Sequence, residues 1–203
     1  MTFELVEQDV PRAKIRIIGI GGGGGNAINT MIEQGLTGVE FVAINTDTQD
    51  LERSMTANRI QLNTAVGYDK DARGLGTGGD PEIGREVALE NREMIRSILE
   101  GTDMVFLTAG MGGGTGTGVT PIIAELAREM GILTVAIVTR PFFFEGRRRR
   151  STAEEGIQVL KSCVDTLITI SNQRLLSAYP NIQLKQAFHA VDNVLYQAVR
   201  GVS

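Results

Sequence analysis

The most informative stretch of this chain is Gly112-Gly113-Gly114-Thr115-Gly116-Thr117-Gly118. It follows an apolar run from Met104 to Ala109. Five of its seven residues are glycine, which leaves the backbone free to curl and its N–H groups accessible. Residues 119–130 have a helical pattern, so the stretch brings backbone amides and the positive end of a helix dipole to one point. It lacks the lysine of a GxxxxGK[ST] phosphate loop. It therefore predicts a polyphosphate site built from backbone amides and threonine hydroxyls.

A second glycine cluster follows an earlier apolar run. Residues 19–25 (GIGGGGG) hold six glycines in seven positions, after a predicted strand at residues 14–20 and before a predicted helix at residues 26–34. Its GxGxxG spacing is typical of a dinucleotide-binding turn, and Asp47 stands where such a fold carries its ribose-binding acid. A tight turn without a ligand is the structural alternative, but six glycines are more than a turn requires.

Short β-branched runs alternate with helical patterns along the chain. Strands are predicted at residues 14–20, 39–45, 59–62, 103–109, 132–139 and 166–170. Helices are predicted at residues 26–34, 49–55, 80–100, 119–130, 150–163 and 184–203, with a loop at residues 63–79. This alternation predicts an α/β fold, a three-layer Rossmann-like and mostly parallel sheet with helices on both faces. Ligands bind beyond the carboxyl ends of such strands, and both glycine clusters lie at such ends.

Three parts of the chain are expected. Residues 1–12 lack periodicity and are predicted to form a flexible tail, and residues 13–183 are predicted to form a nucleotide-binding domain. Residues 184–203 are predicted to form a long helix with one apolar stripe. The stripe consists of Leu184, Phe188, Val191, Leu195, Ala198 and Val202.

Composition narrows the class of protein. A chain of 203 residues with 42% hydrophobic residues can bury a substantial core, and a net charge of −4 argues against a nucleic-acid surface. The single cysteine, Cys163, excludes an intrachain disulfide and fits a reducing compartment. The acidic N-terminal residues do not form a signal peptide, and no apolar stretch of about 18 residues predicts a membrane span. A cytoplasmic protein without membrane insertion is expected.

The segment FFFEGRRRR, residues 142–150, lies after the fifth predicted strand at the same edge as the glycine clusters. Glu145 is placed to hold a ribose hydroxyl, and the arginines are placed to hold a phosphate or a base edge. A solvated basic face is the simpler interpretation of the arginines. RNA binding is less favoured because no aromatic-studded basic face accompanies them.

Taken together, these motifs resemble the tubulin/FtsZ family of GTPases. GGGGGN, NTD at residues 45–47, GGGTGTG, FFFEGRRRR and AFHAVDNVL at residues 187–195 occur in the order expected of its bacterial cell-division members. The similarity extends from Lys14 to Ser203. It implies a polymerising GTPase that converts GTP to GDP and phosphate, with Mg²⁺ accompanying GTP.

The resemblance also implies the residues that contact GTP. The family's two phosphate-binding loops fall on Gly22, Gly23, Gly24, Gly25 and Asn26 and on Gly112, Gly113, Gly114, Thr115, Gly116, Thr117 and Gly118. Its ribose-contacting glutamate falls on Glu145 and its nucleotide-contacting arginine on Arg149. Its guanine-edge acid falls on Asp192 and its base-stacking phenylalanine on Phe188, although that phenylalanine alone is more typical of a core. Further possible contacts are Gly21, Asn45, Asp47 and Pro141, and no side chain is assigned to a metal.

Partners and location follow from the same resemblance. The full-length protein is expected to form head-to-tail protofilaments in the midcell division ring, with other cell-division proteins as partners. In the family, an Asn-x-Asp-x-x-Asp loop after the central helix positions the attacking water on the neighbouring subunit. The printed sequence ends before such a pattern. It is therefore expected to contain no catalytic residue, and to bind GTP with little hydrolysis.

Two other functions compete with this interpretation. A nicotinamide- or flavin-dependent oxidoreductase domain fits GxGxxG and Asp47, and an assembly module could hold the nucleotide as a structural ligand only. The second glycine stretch and Asp192 favour the GTPase. On this interpretation, Gly114→Ala is expected to weaken nucleotide binding and to leave the fold intact.

Overall fold

The computed structural model describes residues 13–63, 74, 76–178 and 184–201. The predicted tail at residues 1–12 and most of the predicted loop at residues 63–79 lie outside the described residues. The strands are β1 Ile15–Ile20, β2 Glu40–Asn45, β3 Asn58–Gln61, β4 Met104–Gly110, β5 Leu133–Arg140 and β6 Thr166–Ser171. The helices are α1 Gly21–Glu33, α2 Thr48–Glu52, α3 Pro81–Glu90, α4 Arg92–Leu99, α5 Gly114–Glu129, α6 Arg147–Lys161, α7 Asn172–Ala178 and α8 Leu184–Arg200, with a 3₁₀ turn at Phe143–Glu145.

All six strands run parallel in one sheet, in the order β3-β2-β1-β4-β5-β6. In the central pair, Ile17 of β1 lies beside Phe106 of β4. The direction in which the chain adds strands reverses between β1 and β4, and in such sheets this is the point where a ligand crevice opens. The α/β fold class predicted from the sequence is confirmed.

Each face of the sheet carries its own apolar core. On one face, Ile18, Ile20 and Leu107 belong to a buried cluster with residues of α3, α4, α5 and α6. On the other face, Ile17 and Phe106 belong to a cluster with residues of α1 and α8. Successive strand residues point to opposite faces, so burial on both sides gives the continuous apolar runs seen in the sequence.

Two helices begin earlier than predicted, inside the glycine clusters. α1 begins at Gly21 rather than residue 26, and α5 begins at Gly114 rather than residue 119. The glycines allow the first helical turns to touch the strand ends directly. A Cβ on Gly24 would clash with the carbonyl oxygen of Thr108 and would lie 2.8 Å from the carbonyl carbon of Gly19.

The predicted helix at residues 80–100 is two helices. It starts as expected, with Asp80 accepting a hydrogen bond from the backbone N–H of Glu82 and Pro81 in the first turn. It breaks at Asn91, whose side-chain amide donates to the carbonyl oxygens of Val87 at 2.8 Å and of Asn63 at 3.0 Å. An asparagine that bonds its own backbone competes with helix continuation, which explains the break.

The stripe that is buried on the last helix overlaps the predicted one only in part. Its buried residues are Ala187, Val191, Leu195, Tyr196 and Val199. Phe188 is 42% exposed, so it is not a core residue of the described structure. The predicted stripe members Leu184 and Val202 have side chains outside the description, and the predicted division between residues 13–183 and 184–203 stays a prediction. Among the described helices, none combines the length and the apolar character needed to cross a bilayer.

We expect Gly24→Ala and Gly25→Ala to change stability in opposite directions. The added Cβ at position 24 meets backbone atoms of β1 and β4, whereas nothing lies within 4 Å of a Cβ at position 25. Overpacking at position 24 should cost about 1–3 kcal/mol. Higher helix propensity at position 25 should stabilise the protein by up to about 1 kcal/mol. Urea unfolding of the two variants measures this, and equal stabilities would contradict the backbone contact.

Candidate functional site

A cleft of about 500 Å³ opens at the carboxyl edge of the sheet, beyond the ends of the paired strands β1 and β4. Most of the residues predicted for the nucleotide line it. They are Gly21, Gly22, Gly23, Asn26, Asn45, Asp47, Gly113, Gly114, Thr115, Gly116, Pro141, Glu145, Arg149, Phe188 and Asp192. Segments far apart in the sequence therefore meet in one concave site.

The floor of the cleft consists of two helix N-termini. The residues before α1 and α5 are Ile20 and Gly113, and neither forms a side-chain hydrogen bond to its helix. Neither helix has an acidic residue in its first turn. The first N–H groups of both helices are thus left without a side-chain cap and point toward the cleft, which is the arrangement that binds phosphate.

The same glycines keep the floor clear of side chains. Gly21 has a φ of +69°, a conformation that side-chain-bearing residues rarely adopt. A Cβ on Gly23 would lie 3.1 Å from the backbone nitrogen of Gly110 at the end of β4. These glycines therefore let the start of α1 pack directly against the main chains of α5 and β4.

The two threonines of the GGGTGTG stretch have different roles. Thr115 lines the cleft, and its Oγ1 is 2.6 Å from Oγ1 of Thr46, so a hydrogen bond joins the end of β2 to the start of α5. Thr117 is buried, and its Oγ1 accepts a hydrogen bond from the backbone N–H of Gly112 at 2.8 Å. Only the first of the two hydroxyls is available to a ligand in the cleft.

The loop after β2 orders one side of the cleft. Asn45 Oδ1 accepts hydrogen bonds from the backbone N–H groups of Thr46 at 2.8 Å and Asp47 at 3.2 Å. Asp47 Oδ1 caps α2 by accepting from Gln49 at 2.9 Å and from Asp50 at 3.3 Å. Both side chains line the cleft, but one oxygen of each is already used to shape the loop.

Glu145 and Arg149 form the charged rim. Nη1 of Arg149 donates to Oε2 of Glu145 at 2.9 Å, and the backbone N–H of Phe142 donates to Oε1 of Glu145 at 2.8 Å. Both carboxylate oxygens of the glutamate are therefore held in place, while the arginine side chain is about half exposed. Among the described residues that line the cleft, Arg149 is the only arginine or lysine.

Helix α8 supplies the wall opposite the glycines. Burial away from water raises the pKa of Asp192 to about 7, so its carboxyl group titrates near neutral pH. The ring of Phe188 packs edge-on against the buried ring of Phe142, with 5.0 Å between their centroids. A partly buried acid near an aromatic ring is suited to a flat, hydrogen-bonding ligand such as a base.

One residue of the cleft was not predicted from the sequence. Asn172 lines the cleft directly after β6, is 4% exposed, and its Oδ1 has no hydrogen-bond partner among the described residues. Buried polar atoms are normally paired, so this oxygen indicates a donor on the ligand or a water. Its position at the carboxyl end of a predicted strand was a signal that could have identified it.

Five of the predicted contacts do not line the cleft. They are Gly24, Gly25, Gly112, Thr117 and Gly118. A Cβ on Gly118 would lie 2.7 Å from the backbone nitrogen of Arg85, so this glycine brings α5 against α3. Gly112 has a φ of +102° and packs against the carbonyl oxygen of Arg149. The assignment of these residues to the nucleotide stays a prediction, and the contacts described give Gly112 and Gly118 a packing role.

Gly114 has a structural role that the sequence analysis did not anticipate. A Cβ there would clash with Oγ1 of Thr77 and would lie 2.6 Å from the carbonyl oxygen of Asp80. The expectation that Gly114→Ala leaves the fold intact disagrees with this packing. Gly113 is the better probe, because its backbone is extended and a Cβ would lie 3.5 Å from Nη2 of Arg149.

Metal coordination by side chains finds little support here. Among the described residues, no group of three or more histidine, cysteine, aspartate or glutamate side chains is arranged to hold a metal ion. Two acids that flank strands are bonded to the backbone instead. Asp103 accepts from the N–H of Lys14 at 2.7 Å, and Asp165 accepts from the N–H of Thr134 at 2.8 Å.

The sequence comparisons all match one protein family. Residues 14–180 match the family model described as Tubulin/FtsZ family, GTPase domain. The chain is 57% identical over 202 residues to the cell division protein FtsZ of Coxiella burnetii and 54% identical to that of Pseudomonas aeruginosa. Each alignment covers 99% of this chain, and 51% and 50% of the two relatives. The chain thus spans about half the length of the curated relatives it matches.

Solved structures agree with the sequence relatives. An empty FtsZ dimer from M. jannaschii superposes with a TM-score of 0.88 at 44% identity, over 96% of this chain and 55% of that one. CetZ2 from Haloferax volcanii, in a GTPγS-bound protofilament, superposes with a TM-score of 0.78 over 92% of this chain and 57% of that one. Its identity of 24% supports the shared fold only. The oxidoreductase alternative gains no support from these comparisons.

We expect the contribution of Asp192 to the stability of the ligand-free protein to fall as the pH rises from about 4 to about 7. Burial favours the neutral form of Asp192, so in this range the folded state retains a proton that the unfolded chain releases. The loss is at most roughly 1.4 kcal/mol per pH unit and ends above the folded-state pKa.

The Asp192→Asn variant lacks this contribution. Its free energy of unfolding in urea, relative to the original chain, should rise between pH 5 and pH 7 and then level off. Glu52→Gln, at an exposed position of α2, serves as the charge-matched control. A difference between Asp192→Asn and the original chain that does not change with pH would contradict the burial of this carboxyl group.

Proposed function

Because this chain belongs to the tubulin/FtsZ family of GTPases, we propose that its cleft binds GTP and GDP and that it is the nucleotide-binding part of a polymerising GTPase. The observation that carries the proposal is that two uncapped, glycine-lined helix starts and the partly buried carboxyl group of Asp192 line the same cleft. The cleft of about 500 Å³ is large enough for a ligand of nucleotide size.

The glycine floor is the proposed phosphate site. Backbone N–H groups of α1 and α5 would donate to the phosphate oxygens, and the two helix dipoles would offset their negative charge. Thr115 adds a hydroxyl from the same floor, and Arg149 adds a guanidinium from the rim. The glutamate that orients this arginine, Glu145, lies where it could accept a hydrogen bond from a ribose hydroxyl.

The α8 wall is the proposed base site. Guanine presents two donors, N1–H and the 2-amino group, that one carboxylate can accept together, whereas adenine has an acceptor at N1 and no 2-amino group. An ionised Asp192 would therefore select guanine, since a site built to accept hydrogen bonds rejects the base that lacks the donors. The Oδ1 of Asn172 is a further acceptor, and the ring of Phe188 would stack on the base.

Any Mg²⁺ that accompanies GTP would take its oxygens mainly from phosphates and water, as this ion commonly does. The described acids fit that arrangement, because they form no metal cluster and the cleft acid Asp47 already caps a helix. Bound Mg²⁺ would supply charge neutralisation. The residues of this chain would hold the phosphates in position to bind the Mg²⁺ ion.

The role of the whole protein belongs to this proposal as well. By resemblance, we infer head-to-tail assembly, a place in the cytoplasmic division ring at midcell, and other cell-division proteins as partners. Hydrolysis of GTP also requires a water held in line with the γ-phosphate. We assign that positioning to acids of an adjacent subunit, and no described residue of this chain is given a catalytic role.

We expect GTP and GDP to raise the melting temperature at concentrations where ATP and NAD do not. Binding to the folded state alone raises apparent stability, so a thermal-shift series with the four ligands ranks their affinities. Asp192→Ala should reduce the preference for GTP over ATP about tenfold or more, because it removes the acceptor of two hydrogen bonds. Equal protection by ATP would overturn the guanine assignment, and protection by NAD alone would favour an oxidoreductase.

We expect Gly113→Ala to weaken GDP binding about tenfold or more and to leave unfolding nearly unchanged. The extended backbone at this position accepts alanine, while the new methyl group occupies the floor where phosphate oxygens would approach the amides. Calorimetric titration with GDP measures the affinity. Gly25→Ala, which has open space around its Cβ and does not line the cleft, is the comparison variant, and an unchanged GDP affinity there would remove Gly25 from the predicted contacts. Undiminished GDP affinity of Gly113→Ala would contradict a phosphate site on this floor.

A further inference from the structure

A second cleft of about 480 Å³ lies on the other side of Pro141 from the glycine floor. Pro141 lines both clefts, and the two clefts otherwise have different walls. The second cleft lies between the start of α6 and the segment that joins β6 to α7. Three arginines line it: Arg140 at the end of β5, Arg150 in the first turns of α6, and Arg174 in α7.

The charges of this arginine cleft are only partly balanced. Arg140 pairs with Glu154, whose Oε1 lies 3.1 Å from its Nε. Among the described residues, neither Arg150 nor Arg174 forms an ion pair. Three guanidinium groups facing one carboxylate leave an excess of two positive charges, because arginine stays protonated in proteins. That excess equals the charge of a phosphate dianion.

Arg150 provides the second observation. Its guanidinium lies 4.9 Å from the centre of the Phe143 ring, which fixes the position of the side chain. Its Nε is buried and has no hydrogen-bond partner among the described residues. A buried donor left unpaired is costly, so an acceptor is expected beside it. Its neighbour in the sequence, Arg149, lines the other cleft, so consecutive arginines serve two separate sites.

We propose that the arginine cleft binds a phosphate-bearing small molecule, separate from the ligand of the glycine-lined cleft. Guanidinium groups match phosphate because their planar forks donate two parallel hydrogen bonds to its oxygens. The phosphate would lie between Arg150 and Arg174 and would accept hydrogen bonds from the accessible N–H groups of their guanidinium forks. The volume leaves room for an organic portion such as a sugar. Free phosphate and a phosphorylated sugar share this chemistry, and the experiment separates them.

The test is a titration with inorganic phosphate or ribose 5-phosphate, at constant ionic strength set with chloride. The affinity comes from calorimetry, and the location comes from the NMR signals of the arginine Nε–H groups. We expect the Arg150 signal to move with saturation. Arg150→Gln and Arg174→Gln should each raise the Kd about tenfold, as for the loss of one charge-assisted hydrogen bond. Tighter binding of ribose 5-phosphate would identify a phosphorylated metabolite, and equal affinities would identify free phosphate.

The matched control is Arg148→Gln, which removes the same charge from an exposed position of the same helical turn and lines neither cleft. Its Kd should stay within about twofold of the original. Arg150→Lys, which keeps the charge without the fork, should still bind more weakly and guards against misfolding of the glutamine variant. The proposal is overturned if Arg148→Gln weakens binding as much as Arg150→Gln does. It also fails if phosphate saturates the protein while the Arg150 signal stays fixed, which would place the phosphate on the glycine floor.

Discussion

The first turns of α1 and α5 pack directly against the main chains of β1 and β4, and the layout of the cleft follows from this packing. Gly24 and Gly116 bring the first helical turns onto the carbonyl groups at the ends of β1 and β4, closer than any side chain would permit. Because both helices start this close to the sheet, their uncapped N–H groups meet in one crevice. The glycine floor is thus explained by packing alone, and the proposed phosphate site would make use of it.

Helix α8, which forms one wall of the cleft, and helix α1, which forms part of its floor, pack in the same apolar core. Ala27, Ile28 and Met31 of α1 share a buried cluster with Val191 and Leu195 of α8. The helix that carries Asp192 is therefore fixed relative to the helix that opens at the glycines. The distance between the two ends of the cleft is set by close-packed side chains, which resist compression and transmit strain. Recognition of the two ends of a ligand is accordingly coupled through the interior of the protein.

The sequence predicted the strands, the parallel α/β fold and most of the cleft, because buried parallel strands and glycine-rich strand ends are strong local signals. It failed where tertiary packing decides. The early start of α5 depends on contacts with β4 and α3. The position of the half-exposed Phe188 ring depends on its edge-on contact with Phe142. Asn172 was missed because its importance comes from an unpaired oxygen, which only the assembled site reveals. The break at Asn91 depends on a distant carbonyl group at Asn63.

The glycine floor has a consequence for how the site can change over evolutionary time. Its exposed polar groups are peptide N–H groups, which only a substitution to proline would delete, and several of the glycines that expose them have no space for a larger residue. Heritable variation is thereby confined to the rim and the α8 wall, where side chains make the contacts. An inhibitor that took its affinity from the floor would leave few routes to resistance, whereas one that depended on Arg149 or Phe188 could be escaped by a single codon change.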